Sequence, residues 1–181
     1  MVPEYLTEIA SAERVLELDH QTNLPFANRY HTPETLGRDR LAAVIGAFAR
    51  YGDQHFVVID AGTCITFDFH LAERGYQGGN IAPGIQMRLR AMHEFTARLP
   101  LPERRMEAHF VGRRTDAALR NGAQWGAIWE VQSFVETCIR EYGSVRTILT
   151  GGDGPFLRDH LNLSVELEPD LVLYGLHYLA T

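Results

Sequence analysis

Phe56-Val57-Val58-Ile59 is an unbroken apolar run that stops at Asp60-Ala61-Gly62-Thr63. A short run of this kind bounded by a turn signal predicts a buried strand. The chain resumes as Cys64-Ile65-Thr66-Phe67-Asp68-Phe69, whose period-two alternation predicts a half-buried strand and therefore a hairpin about an Asp-x-Gly-Thr bend. A third strand is expected around Tyr76, followed by a loop over Gly78–Gly84 and a helix that buries Ile85, Leu89 and Met92. Upstream, Leu41, Val44, Ile45 and Phe48 fall at helical spacing. That helix starts either at Thr32-Pro33-Glu34, a cap followed by proline, or after Gly37 near Arg38. Either start puts Asp39 close to a helix N-terminus, and Gly52-Asp53 marks the turn that follows.

Downstream, Thr115 is expected to cap the longest helix, with Asp116 suiting its positive end. Leu119, Ala123, Ile128, Val131, Phe134, Cys138 and Tyr142 mark its buried stripe, and Gly143 ends it. A strand over Thr147–Leu149 runs into Thr150-Gly151-Gly152-Asp153-Gly154. A short helix, a strand near Val165–Leu167 and a helix from Leu171 complete the pattern. Before residue 30 the reading is a weakly patterned helix (Tyr5–Arg14), a strand (Val15–Leu18) and an irregular link (Asn23–Asn28). From residue 56 the order is β-β-β-α-α-β-α-β-α, an α/β unit with a mixed sheet.

The 181 residues make about one ordinary domain or two small ones, and 45% hydrophobic with 22% charged residues is a globular composition. Seventeen basic against twenty-three acidic residues leave a net charge of −6, so there is no basic excess of the kind nucleic-acid binders show. Two distant cysteines, Cys64 and Cys138, fit neither a disulfide scaffold nor a zinc site and suit a reducing cytosol. The longest apolar stretches fall far short of a bilayer span, and no signal-peptide pattern opens the sequence. A cytoplasmic protein without membrane or nucleic-acid partners is expected.

Three stretches could carry chemistry. Asp60–Thr63 offers a carboxylate, a hydroxyl and backbone N–H groups, with Gly62 free to take positive φ, which suits a phosphate or a cation. The same residues also make an ordinary β-turn. Asp39, between Arg38 and Arg40, could accept a proton from a substrate hydroxyl while the arginines hold an anionic group. It could equally be a first-turn aspartate complementing the helix dipole. The glycines of Thr150–Gly154, directly after a strand, would let a nucleotide lie against backbone, although such turns also occur without a ligand. The eight histidines show no metal-ligand spacing. Arg104 and Arg105 read as solvated, and Trp125 and Trp129 as packing residues. Gly122 and Gly126 each cost a helix about 1 kcal/mol relative to alanine, which hints at a close helix approach on a self-association face.

Together these segments resemble type III pantothenate kinases. The resemblance is carried by Tyr30-x-Thr32-Pro33-x-Thr35-Leu36-Gly37-x-Asp39-Arg40 and by Val58-Ile59-Asp60-Ala61-Gly62-Thr63-Cys64-Ile65-Thr66. It is carried also by Gly78-Gly79-Asn80-Ile81-x-Pro83-Gly84, Thr96-x-x-Leu99-Pro100, Gly112-x-x-Thr115 and Thr150-Gly151-Gly152-Asp153. It runs from about residue 15 to the end. It implies an α/β, ribonuclease-H-like (actin-like ATPase) fold with a mixed sheet flanked by helices. Residues 1–54 would be the remnant of a first domain carrying the substrate motif, and residues 55–181 the second domain. The implied reaction is phosphorylation of pantothenate by ATP with Mg2+, the first step of coenzyme A biosynthesis, with K+ or NH4+ as monovalent cation. The implied assembly is a homodimer whose pantothenate pocket is completed across the interface.

Carried over by position, Asp39 would be the catalytic base. Tyr30 and Gly37, Arg38, Asp39 and Arg40 would line the pantothenate pocket, with Thr115 reaching it from the interface. Asp60 would hold the monovalent cation and Thr63 would touch the ATP phosphates. Family members begin with a strand and an Asp-x-Gly-Asn-Thr phosphate loop, whereas residue 1 here aligns inside the family's first domain. An incomplete first domain and feeble or no turnover are therefore expected of the chain as given. Two other readings stand beside this one: a non-catalytic homologue with a regulatory or binding role, and a kinase of the same fold for another small hydroxylated acid.

Overall fold

Strand β1 (Phe56–Ala61) takes the central position because its residues are apolar on both faces, the arrangement expected of a strand covered by helices on each side. The computed structural model describes residues 16–107 and 109–181. β2 (Cys64–Leu71) returns antiparallel to β1, and β3 (Gly75–Pro83) pairs antiparallel with β2. β4 (Arg146–Thr150) lies parallel to β1 on its other side, and β5 (Glu166–Leu167) lies parallel to β4. The order β3-β2-β1-β4-β5, an antiparallel meander extended by two parallel strands, is the mixed sheet of the ribonuclease-H-like fold.

The helices divide between the two faces. Val57, Ile59 and Ala61 point into one core, shared with α2 (Ile85–Glu94), α3 (Thr115–Tyr142) and α4 (Gly154–His160). Phe56 and Val58 point into the other, built with α1 (Arg38–Tyr51) and α5 (Leu171–Ala180). By the same alternation Asp60 belongs to the α1 side, and so do its cross-strand partner Thr66 and the adjacent pair Val58–Asp68.

The element order predicted from residue 56 onward is the order observed. α1 starts at Arg38, after a separate 3-10 turn at Pro33–Thr35. Four local expectations are corrected. Gly78–Gly84 is not a loop: through Pro83 these residues are β3, because β2 is long enough to pair with all of them, from Leu71↔Gly75 to Cys64↔Pro83. Leu16–Leu18 form no strand, although Leu18 is buried in the α1 core; the helix expected at Tyr5–Arg14, and Val15, lie outside the described residues. Arg114, not Thr115, occupies the N-cap of α3, and Thr115 is its first helical residue. Tyr142 is 42% exposed at the frayed end of the α3 stripe.

Within the chain a close helix approach is made by two other glycines, whereas the self-association face expected at Gly122 and Gly126 concerns a second copy. A Cβ on Gly122 would meet open space, whereas one on Gly46 would stand 2.2 Å from the Leu171 carbonyl oxygen, and one on Gly175 1.9 Å from that of Ala42. These two glycines let α1 and α5 touch backbone to backbone. Gly46→Ala is expected to destabilise the protein by about 1–3 kcal/mol, as overpacking does. Urea unfolding measures this, and wild-type stability in the variant contradicts the contact.

Candidate functional site

Three loops meet at the C-terminal ends of β1 and β4, the end of an α/β sheet where ligands bind. The Asp60–Thr63 bend is closed by the Gly62 N–H donating to the Cys64 carbonyl at 2.8 Å. Gly84, at the exit of β3, donates its N–H to the Thr63 carbonyl at 3.0 Å, and its Cβ position lies only 2.2 Å from the Gly62 oxygen. From the other side the Asp153 N–H donates to the Ala61 carbonyl at 2.8 Å. Gly151 takes φ +82°, and a Cβ there would stand 2.4 Å from Asp60 Oδ1. The positive φ anticipated at Gly62 occurs instead at Gly151, and Gly62 stays outside the left-handed region.

Asp60 sits half-buried at this junction. Burial raises its carboxyl above the usual range, and the charges of Asp39 and Asp68 push it further in the same direction. Asp39 and Asp60 thus lie near enough to feel one another, on the α1 side of the sheet. The Thr66 hydroxyl, directly across the ladder from Asp60, is buried with no hydrogen-bond partner. A partly desolvated carboxylate beside an unsatisfied hydroxyl suits one positive charge with oxygen ligands. Among the described residues no three His, Cys, Asp or Glu side chains converge as a metal cluster.

Asp39 is exposed in the first turn of α1, and its Oδ1 accepts the Arg40 N–H at 2.9 Å. The flanking arginines do not stand beside it as free cations. Arg38 pairs with Glu17 at 2.5 Å on the surface. Arg40 turns inward, 5% exposed, and donates from Nε and Nη2 to Asp68 Oδ1 at 3.0 and 2.7 Å. Gly37 precedes them at the N-cap of α1, where a Cβ would press on Asp39 Oδ1 at 2.6 Å.

Tyr30 reaches the same neighbourhood because residues 27–29 attach to the β3 edge. Tyr76 donates its N–H to the Ala27 carbonyl, and Arg29 donates to that of Tyr76, both at 2.9 Å. Tyr30 borders a cavity of about 300 Å³ with Arg29, His31, Gln77, Gly78 and Gly79. Thr63 is exposed at the tip of its bend and borders a second groove of about 400 Å³, formed with Gln86, Met87, Arg90 and Phe95 of the α2 region. A larger cavity, about 610 Å³ and lined by Asp53, His55 and Arg146, lies at the opposite end of the sheet. Thr115 stands apart from these groups. It is exposed at the head of α3, whose first turn is tied through Arg120 to Asp116 and Glu107.

Sequence reasoning missed Asp68, Tyr76 and Arg104. Asp68 alternates with Cys64 and Thr66 on the polar positions of β2, so its burial became visible only once α1 covered that face of the sheet. Arg104 is not merely solvated. It pairs with Asp153 at 2.5 Å and lies 5.1 Å over the Phe156 ring, so it braces the loop after β4.

Comparison with known proteins agrees with this architecture. The family model for type III pantothenate kinase matches residues 4–137. A type III pantothenate kinase of Bacteroides fragilis is 42% identical over 163 residues, covering 90% of this chain and 67% of the relative. One from Phocaeicola vulgatus is 39% identical over the same shares. Among solved structures, a Campylobacter jejuni protein described as a Baf family transcriptional activator superposes with a TM-score of 0.61 at 25% identity, covering 98% of this chain and 78% of the other. The chain belongs to the type III pantothenate kinase family.

Proposed function

We propose that this protein transfers the γ-phosphoryl group of ATP to the primary hydroxyl of pantothenate, giving 4'-phosphopantothenate and ADP. The observation that carries the reading is geometric: the Arg40–Asp68 pair ties the head of α1, with Asp39 exposed in its first turn, to the same face of the sheet on which β1 ends in Asp60. Phosphoryl transfer needs little covalent help from the protein; it needs a positioned acceptor, a group to take the proton, and neutralised charge. In this reading Asp39 accepts the hydroxyl proton as the oxygen attacks phosphorus, and ADP leaves on the opposite side. Tyr30, Gly37, Arg38 and Arg40 shape the pantothenate pocket, Arg40 through its hold on the pocket wall. Thr115 completes the pocket from the partner subunit of a homodimer, which suits its exposure and its distance from α1.

Thr63 and the Gly151–Asp153 loop line the phosphate and nucleoside side. K+ or NH4+ at Asp60, together with Mg2+ on the ATP phosphates, supplies the positive charge that the transferring group requires. The Asp60 carboxylate and Thr66 hydroxyl fit the monovalent ion, and Mg2+ characteristically rides on substrate phosphates with few protein ligands. No helix among the described residues is long and apolar enough to cross a membrane. A cytoplasmic location belongs to the same reading.

Coupled measurement of ADP release with ATP, Mg2+ and K+ tests the reading: release must depend on added pantothenate. Asp39→Asn is expected to lower kcat by about 10²–10⁴-fold, the usual scale for a lost general base. A rate unchanged by that substitution removes Asp39 from the role.

Asp60 generates a second expectation. Because its folded-state pKa is raised, the folded protein holds the proton more readily than the unfolded chain. Without a bound cation, stability therefore falls as pH rises from the unfolded carboxyl range through the folded pKa, and the penalty is complete above it. At neutral pH, Asp60→Asn is expected to raise Tm in cation-poor buffer. Added K+ should raise the wild-type Tm by about 2–4 °C for each kcal/mol of binding and leave the variant unmoved. Equal K+ responses in the two proteins rule out Asp60 as the ligand.

A further inference from the structure

Asp68 is a carboxylate in the middle of a buried strand, fully screened from solvent, and its Oδ1 gathers three donors. Two come from Arg40, and the third is the Tyr76 hydroxyl at 2.6 Å. Arg40 Nη2 also donates to the Tyr76 oxygen at 3.2 Å, which closes a triangle of α1, β2 and β3 side chains. A buried ion pair bonded in this way is held in place, because displacement leaves a desolvated charge unpaired.

Tyr30 rests on that triangle. Its ring stacks on Tyr76 at 6.2 Å and 13°, and the Arg40 guanidinium lies 5.8 Å from its centroid. On the third side is Gly78, at φ +95°, where even a Cβ would come within 3.2 Å of the Tyr30 ring. The Tyr76 backbone completes the attachment through its two hydrogen bonds to residues 27 and 29. One residue thus holds the segment before Tyr30 by its main chain and the Tyr30 ring by its face, while its hydroxyl is fixed by Asp68. Arg40, gripped by the same carboxylate, is adjacent in sequence to Asp39 and donates its N–H to the Asp39 carboxylate.

We propose that Asp68 and Tyr76 are positioning residues that hold the Tyr30 wall of the acceptor pocket in register with the head of α1. This rests on the kinase reading for the identity of the acceptor. Neither residue touches substrate: both act through Tyr30 and Arg40. Their effect falls on the hydroxyl-bearing substrate and not on ATP, whose proposed contacts are at the bend and the β4 loop.

Tyr76→Phe tests the proposal, because it keeps the stacked ring and deletes only the hydroxyl. Asp68→Asn strips Arg40 of its counter-charge and endangers the fold, so it serves as the second variant where it folds. Hydrogen exchange is followed for the segment 27–32 in the ligand-free protein, and pantothenate and ATP affinities are measured by calorimetry. For Tyr76→Phe, exchange in 27–32 should quicken while the rest of the sheet keeps its protection. Pantothenate Kd should weaken by about 3- to 10-fold, the scale of one ordinary hydrogen bond, because the Tyr76 hydroxyl acts on the substrate only through Tyr30, with ATP affinity unchanged. Wild-type exchange in 27–32 overturns the proposal, as does an unchanged pantothenate Kd or an equal loss for ATP. A wild-type protein that binds no pantothenate refutes the kinase reading instead. Exchange then decides alone: quickened exchange confined to 27–32 supports the anchoring of Tyr30, and unchanged exchange overturns it.

Discussion

The Arg40–Asp68 ion pair is the constraint on which the arrangement of the site depends. Both partners are buried, 5% and 0% exposed, so each is tolerated only because the other is there. Replacing such a pair with apolar side chains often costs a fold nothing, and its value here is geometric. Arg40 lies in the first turn of α1, and Asp68 sits opposite Val58 in the central ladder. Their contact fixes the end of the helix over one position of the sheet. Asp39 is carried with it, exposed, at the place where β1 delivers Asp60.

The second organising feature is backbone crowding at the end of β1. Gly84 and Gly151 approach so closely that a Cβ at either would collide with the Asp60–Thr63 bend. With main chain on both sides, Asp60 loses much of its water and, among the described residues, gains no cation. Asp39 and Asp68 add negative potential to the same spot. A carboxylate in such a place is relieved by a proton or by a cation that joins it, which suits a reaction in which a polyanionic nucleotide arrives with its counter-ions.

The rest of the molecule supports this geometry from the two faces of the sheet. α1 and α5 meet through Gly46 and Gly175, which sets how close α1 can lie. On the other face the segment before α3 is strapped down by two ion pairs. Arg120, 4% exposed in α3, grips Glu107, and Arg104 reaches Asp153 in the loop after β4.

Much of this was legible in the amino-acid order. The apolar run at 56–59, the alternation at 64–69 and the glycine punctuation at 52 and 143 specify elements through local periodicity and backbone freedom, and these operate within a few residues. The family motifs gave Asp39 and Asp60 their candidate roles for the same reason: each is a short segment. Pairwise partnership was not legible. Arg38 and Arg40 look alike in sequence, yet one lies on the surface with Glu17 and the other is buried with Asp68, 28 positions away. Gly78 and Gly79 read as a loop until a long β2 was there to pair with them, and Arg104 read as solvated until α4 brought Asp153 and Phe156 within reach. Secondary structure was thus settled by local sterics and hydrophobic period. The partner of each buried charge, and the glycines that had to remain bare, depended on distances between distant segments that exist only once the sheet has both its faces covered.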